Sequence, residues 1–264
     1  MPKVREIRDF FNEKAPFYMK MDFDNVGLLA GFCEVHVHRT LVALDITDEV
    51  IEEAANSGAE LIVSHHPLIW EPLKHVTDDD DKGRKLIRMI RSGISAICLH
   101  TNLDTADGGV NDALMAALGA RVTGLLAPHG THPDGRPYGV ARLGELDTPV
   151  DFFAFLERVK KNLHSNGLRY TYGGKPVHKL TCCGGAGGRD MQKAFDAGCD
   201  TYVTADLKYD HFLWAKEHGL NLIDADHFCT ENVVVPVLAG LLRERYPEME
   251  TSVSQVHGQT AQFF

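Results

Sequence analysis

The chain of 264 residues carries 37 acidic against 27 basic side chains, a formal net charge of -10 at a sequence pI near 5.7. That balance leaves no broad basic face to hold a phosphate backbone by counterion release, which argues against nucleic acid as a main partner. The longest apolar stretch near the C-terminus, VVVPVLAGLL, is ten residues with Pro236 inside it, where a spanning helix needs roughly 20, and the charged start MPKVREIRDFF lacks the apolar core of a signal peptide; a cytoplasmic setting without a membrane partner is expected.

The length falls between one large domain and two small ones, and two are expected. Residues 3–13 have the spacing of an amphipathic helix, and TLVALDI (40–46) that of a buried strand. TDEVIEEAANSG follows as a helix, with Thr47 as N-cap, Asp48 and Glu49 in its first turn and Gly58 at its end. AELIVSHH is a second strand, TDDDDKG a solvated loop, RKLIRMIRSG a helix and SAICLHTNLD a third strand. This alternation favours a parallel sheet covered on both faces. The middle differs: YGVARLGEL reads as a strand, PVDFFAFLERVKKNL as a helix opened by proline, and LRYTYGG and VHKLTCCGG as further strands. Beyond 189 the alternation resumes with RDMQKAFDAG, DTYVTAD, KYDHFLWAKEHG and NLIDAD, then a last helix near Glu231.

The six cysteines, Cys33, Cys98, Cys182, Cys183, Cys199 and Cys229, form no C-x-x-C pair and read as reduced packing residues. Cys182 and Cys183, neighbours on a strand, should face opposite sides of the sheet.

In parallel α/β sheets, ligands collect at the carboxyl ends of strands, where helix N-termini point and loops are free of the sheet. The polar residues expected there are His65 and His66, then His100 and Asp104, then Asp206, then Asp224, Asp226 and His227. A helix already turning at His227 would place Glu231 on the same face, with Cβ atoms about 5–6 Å apart. Taken singly, such a pair is more often a solvent-facing couple, and a strand-end histidine more often a structural one. The set weighs more than its members. Adjacent side chains on an extended backbone diverge, and Pro67 biases His66 towards that conformation, so His65 and His66 suit two ions about 3.5–4 Å apart better than one. Asp104 and Glu231 offer bridging carboxylates. Three imidazoles and two carboxylates (His65, His66, His227, Asp104, Glu231) suit zinc, iron or manganese rather than calcium or magnesium.

The stretches DNVGLLAG, SHHPLIW, HTNLD, GGAGG, YVTADLKYD and NLIDADHFCTEN, in this order and over nearly the whole chain, resemble the successive motifs of the NIF-three-like family. Many of its members carry the name type 2 GTP cyclohydrolase I, and this chain has the length of the short form without a central insertion. The resemblance implies two intertwined α/β domains with largely parallel sheets. Residues 1–125 with 226–264 would form the first and carry the metal ligands; 126–225 would form the second. It further implies two divalent ions per subunit at strand C-terminal ends between the domains, and assembly as a toroidal homohexamer. Carried over residue by residue, His66 and Asp104 resemble the ligands of one metal, His65 and His227 those of the other, and Glu231 the bridge.

The chain departs from the family pattern in places. Thr204-Ala205-Asp206 stands where TGD is usual, Lys208-Tyr209-Asp210 where KYH is usual with His211 one place late, and Asp226-His227 where GH is usual. None of these replaces a metal ligand. In CCGGAGGRD the third glycine of a dinucleotide fingerprint falls on Asp190, so a tight strand-to-helix turn is the plainer reading, beside an anion cradle made of glycine amides. His100, Thr101 and Asn102 are candidates for hydrogen bonds that orient ligands.

Paired ions point to a metal-dependent hydrolase. By resemblance the substrate is GTP, with water attacking C8 of the guanine ring and formate lost; His100 and His211 are the candidate proton donors. No P-loop or guanine-reading motif is present, and a phosphoester or amide substrate would suit the same ligands. The alternative is a non-enzymatic metal-binding scaffold or metal-handling protein that recruits protein partners.

Overall fold

Short strands of four or five residues set the architecture of the first of two units, Met1–Leu103 with Val235–Gly258. The computed structural model describes residues 1–263. The sheet of this unit has the order Gly27–Ala30, Ser95–Cys98, Leu61–Ser64, Arg39–Ala43, Glu250–Val253. Neighbours run parallel except at the Gly27–Ala30 edge, which is antiparallel. Leu61–Ser64 and Ser95–Cys98 are buried at every position, as strands covered on both faces must be. Val50 and Ile51 of one helix and Leu86 and Met89 of another pack on Leu41, Ile62 and Ala96. The helix Asp48–Ser57 has the expected caps: Thr47 accepts from the Val50 amide at 3.2 Å, and Gly58 closes it at φ +69°. The next helix, Asp81–Arg91, starts earlier than Arg84, because Asp80 accepts from the Gly83 amide at 2.8 Å. Part of the acidic run is thus a helix start.

The second unit is Asp104–Val234 with the segment from Gln259 onward. Its sheet runs Arg121–Leu125, Arg142–Val150, Val177–Cys182, Thr201–Thr204, Asn221–Asp224, Arg169–Thr171. The three strands from Val177 to Asp224 are parallel, and those flanking them are antiparallel, so this sheet is mixed where the first is largely parallel. Strand alternation is visible in its two cores: Cys182, Val203 and Ile223 pack with Phe155 and Leu114, whereas Cys183, Tyr202 and Leu222 pack with Met191 and Ala215. The adjacent cysteines do face opposite sides. All six cysteines are free thiols; five are buried, but Cys33 is exposed and is no packing residue.

Several boundaries move for local reasons. The strand expected to reach Asp104 stops at Cys98, and Thr101–Thr105 is a short helix. Asp24, 77 residues away, accepts from the Thr101 amide at 2.9 Å and caps it. The helix expected from Pro149 begins at Phe152, because Asp151 accepts from the amides of Phe153 and Ala154, each at 3.0 Å; Pro149 and Val150 finish the strand that begins at Arg142. Strands at 27–30, 121–125 and 250–253 carry too little apolar alternation to be read. The units divide at Leu103/Asp104 and Val234/Val235, not at 125/126 and 225/226. Leu114, Met115, Ala225 and Cys229 all join the core around Phe155 and Leu180, which draws 104–125 and 226–234 into the second unit. Buried Arg142 adds to this, donating to the carbonyls of Thr105 and Ala106 at 3.0 Å each and to Asp112 at 2.7 Å. As a result Asp104, His227 and Glu231 belong to the second unit, and only His65 and His66 of the expected ligands to the first.

Candidate metal centre

In the first unit the chain bends after Ser64, and the amides of His65 and His66 both donate to the Leu44 carbonyl, at 3.2 and 2.9 Å. The expected divergence of the two side chains does not occur. Their ring centroids are 5.0 Å apart, and the His100 ring lies 5.1 Å from His65 and 5.7 Å from His66. Ligand-capable atoms of all three fall within 4.8 Å of one another.

The second bond of each ring decides its tautomer. His65 Nδ1 stands 2.7 Å from the Leu99 carbonyl, which can only accept, so Nδ1 carries the proton. His66 Nδ1 stands 2.7 Å from Asp45 Oδ1 and His100 Nδ1 2.8 Å from Asp24 Oδ1. Whenever such a ring is neutral, Nε2 is the nitrogen left with the lone pair. Asp24 is buried, and burial by itself would raise its pKa, but the hydrogen bond and charge of His100, with the Thr101 donors, hold the carboxyl down at about 2.

In the second unit, His227–Glu231 forms a helical turn, so the two side chains share a face as expected. His227 Nε2 is 3.1 Å from Glu231 Oε2, and its Nδ1 is 2.7 Å from Asp206 Oδ2. Burial opposes protonation of this ring, yet the two carboxylates overcome it and raise its pKa to about 9. The carboxylates of Asp104 and Glu231, both buried, approach within 4.8 Å. Asp226, at φ +70°, caps the turn by accepting from the Cys229 amide at 3.2 Å; its position demands a left-handed backbone, for which glycine is better suited. Asp224 serves structure, bonding Arg169 and accepting from the Leu207 amide at 3.0 Å.

The GGAGG loop packs directly on this group. A Cβ on Gly185, at φ +62°, would stand 2.3 Å from Glu231 Oε1, so only glycine lets the loop close over the carboxylate. The amides of Gly184, Gly185 and Gly187 donate to Asn111, Thr230 and Thr204 at 2.8, 3.0 and 3.0 Å. These three bonds are spent inside the protein, which supports the tight-turn reading over the anion cradle. His211 lies at the start of the helix Tyr209–His218, its Nδ1 accepting from the Lys208 amide at 3.1 Å, and it joins no group of potential metal ligands among the described residues.

The donor set fits a transition metal: imidazoles with Nδ1 anchored on oxygen, beside carboxylates, are what zinc, iron or manganese accept. A cation between His227 and Glu231 would replace the proton now shared there. Of the anchors, Asp206 is one of the strand-end residues and Asp24 opens the DNVGLLAG stretch, whereas Asp45 lies within the apolar run TLVALDI, where an acidic residue at the end of such a strand is the only signal the sequence offers.

Fold and site together define an α/β protein with histidine- and carboxylate-rich groups able to hold metal. The family model described as Duf34/NIF3 (NGG1p interacting factor 3) matches residues 2–260, and the chain belongs to this family. It is 34% identical over 244 residues to a GTP cyclohydrolase 1 type 2 homolog of Clostridium perfringens, covering 92% of each chain. The solved structure of a Bacillus cereus protein related to NIF3 matches with a TM-score of 0.92 at 26% identity, over 100% of this chain and 99% of that one. Reduced HcgD from Methanocaldococcus jannaschii matches with a TM-score of 0.79 at 26% identity, over 97% and 98%. Among the described residues no helix is long and apolar enough to cross a membrane.

Proposed function

We propose that this chain is a metal-dependent hydrolase in which His65, His66, Asp104, His227 and Glu231 would hold two divalent ions of zinc, iron or manganese, in a cytoplasmic homohexamer. The observation that carries this reading is the shared anchoring of His65, His66 and His227 through Nδ1, each on an oxygen acceptor at 2.7 Å. Histidines that only fill a core have no need of such uniform orientation, whereas metal-binding histidines do. The name borne by relatives such as the Clostridium perfringens protein makes GTP the first substrate to test.

Bound ions would supply Lewis-acid chemistry and lower the pKa of a water molecule. The chain's own residues orient and move protons. Asp45 and Asp206 fix His66 and His227. His100, steadied by Asp24, can hold the proton that a leaving ring nitrogen requires once C8 of guanine is attacked. His211 is committed through Nδ1 to a backbone amide, so His100 is the better donor.

Metal-replete protein incubated with GTP should release formate, and a chelator should abolish that release. His100→Gln should slow it by on the order of a hundredfold with metal content unchanged. Full metal content with no formate from GTP would sink the cyclohydrolase reading and favour a metal-binding scaffold that recruits proteins.

A further inference from the structure

Two large aromatic side chains stand exposed beside the histidine group of the first unit. Phe23 is 57% and Trp70 42% exposed, their ring centroids are 5.7 Å apart, and Trp70 meets the His100 ring edge-on at 5.3 Å. The rings therefore continue the His65, His66, His100 group outward into solvent. Neither aromatic hangs on a loose loop. Asp24, next to Phe23, is tied to His100 and to the Thr101 amide, and the Asn25 side chain donates to the Ile69 carbonyl at 2.7 Å, pinning the Phe23 segment to the Trp70 segment. Rings held this firmly, yet left half in water, forgo the burial that aromatic side chains normally gain.

We propose that Phe23 and Trp70 form a stacking platform for a planar heteroaromatic ring of the substrate, selecting ring-bearing molecules for the centre beside it; this rests on the metal-dependent hydrolase reading above. Stacking tolerates any flat ring because each presents a π face. That explains how a chain without a guanine-reading motif can still favour a nucleobase: the platform supplies affinity for the ring, and the metal-binding group beside it supplies the chemistry. Recognition would then follow flatness and aromaticity more than any one exocyclic group.

The chain has two tryptophans, so Trp214→Phe leaves Trp70 as the single fluorescent reporter. Guanosine monophosphate and ribose 5-phosphate, which share the sugar and phosphate but not the ring, are titrated into that variant, and metal content is measured on the same samples. The expected result is saturable quenching by the nucleotide, none by ribose 5-phosphate at equal concentration, and a roughly tenfold weaker nucleotide affinity on adding Phe23→Ala, with metal content unchanged. No quenching by the nucleotide, or equal quenching by both probes, overturns the platform; if the protein still holds its metal, the hydrolase reading survives that failure. Nucleotide quenching in a protein that takes up no metal supports the platform and overturns the metal reading.

Discussion

His66 Nδ1 lies 2.7 Å from Asp45 Oδ1, and this bond places the proton on Nδ1 and the lone pair on Nε2. Replacing Asp45 by Ala should therefore act on metal affinity more than on folding. Asp45 is 42% exposed at its side chain, so little packing is lost. We expect metal affinity to fall roughly 10- to 100-fold, read by competition with a chelator, while Tm changes by no more than a few degrees.

Gly185 makes the opposite case, a backbone position that the site cannot share. Gly185→Ala introduces a Cβ 2.3 Å from Glu231 Oε1 at a φ of +62°. The chain must shift the loop or the carboxylate. A loss of about 1–3 kcal/mol in denaturant unfolding, with reduced metal content, is the expected outcome. Unchanged metal content would show that Glu231 can move without harm to the centre.

Asp226 carries strain and a cap at once. Its φ of +70° with ψ of 140° belongs to glycine, yet its carboxylate caps the His227 turn. Glycine is only a few tenths of a kcal/mol worse than Asp as an N-cap, whereas a side chain in this backbone region costs about 1 kcal/mol or more. Asp226→Gly should therefore stabilise the protein by about 1 kcal/mol in equilibrium unfolding.

The Asp24 anchor gives the metal-free protein a defined acid response. Its pKa is lowered from 3.8 to about 2 in the folded chain; burial alone would raise it, and His100 and Thr101 reverse the sign. A depressed folded pKa means that the contribution is fully present above pH 3.8 and is lost as pH falls through about 2. It amounts to on the order of 2 kcal/mol. Comparing acid unfolding of wild type and Asp24→Asn should show the variant less sensitive to pH within that window.

Much of this was legible in the chain. The helix over 48–57 announced itself by Thr47 and Gly58, and the His227–Glu231 turn by its four-residue spacing. Burial on both faces shows in the unbroken apolar runs 61–63 and 96–98 of the two central strands. What stayed hidden depended on distant partners. Nothing local says that Asp24 will cap Thr101, which ends the strand at Cys98 and makes Asp104 helical. The shared carbonyl of Leu44 that keeps His65 and His66 together comes from another strand end. The unit boundaries depend on Leu114 and Cys229 choosing the second core, a packing outcome that periodicity does not encode.

The proposed role of His65, His66, Asp104, His227 and Glu231 in holding metal is tested most directly by metal content per subunit after purification without chelator or added metal, on wild type and Glu231→Ala together. About two ions of zinc, iron or manganese in the wild type, sharply reduced in the variant, is the predicted result. Essentially no metal in the wild type, and no uptake when these ions are supplied, would contradict it and leave the histidines as structural residues.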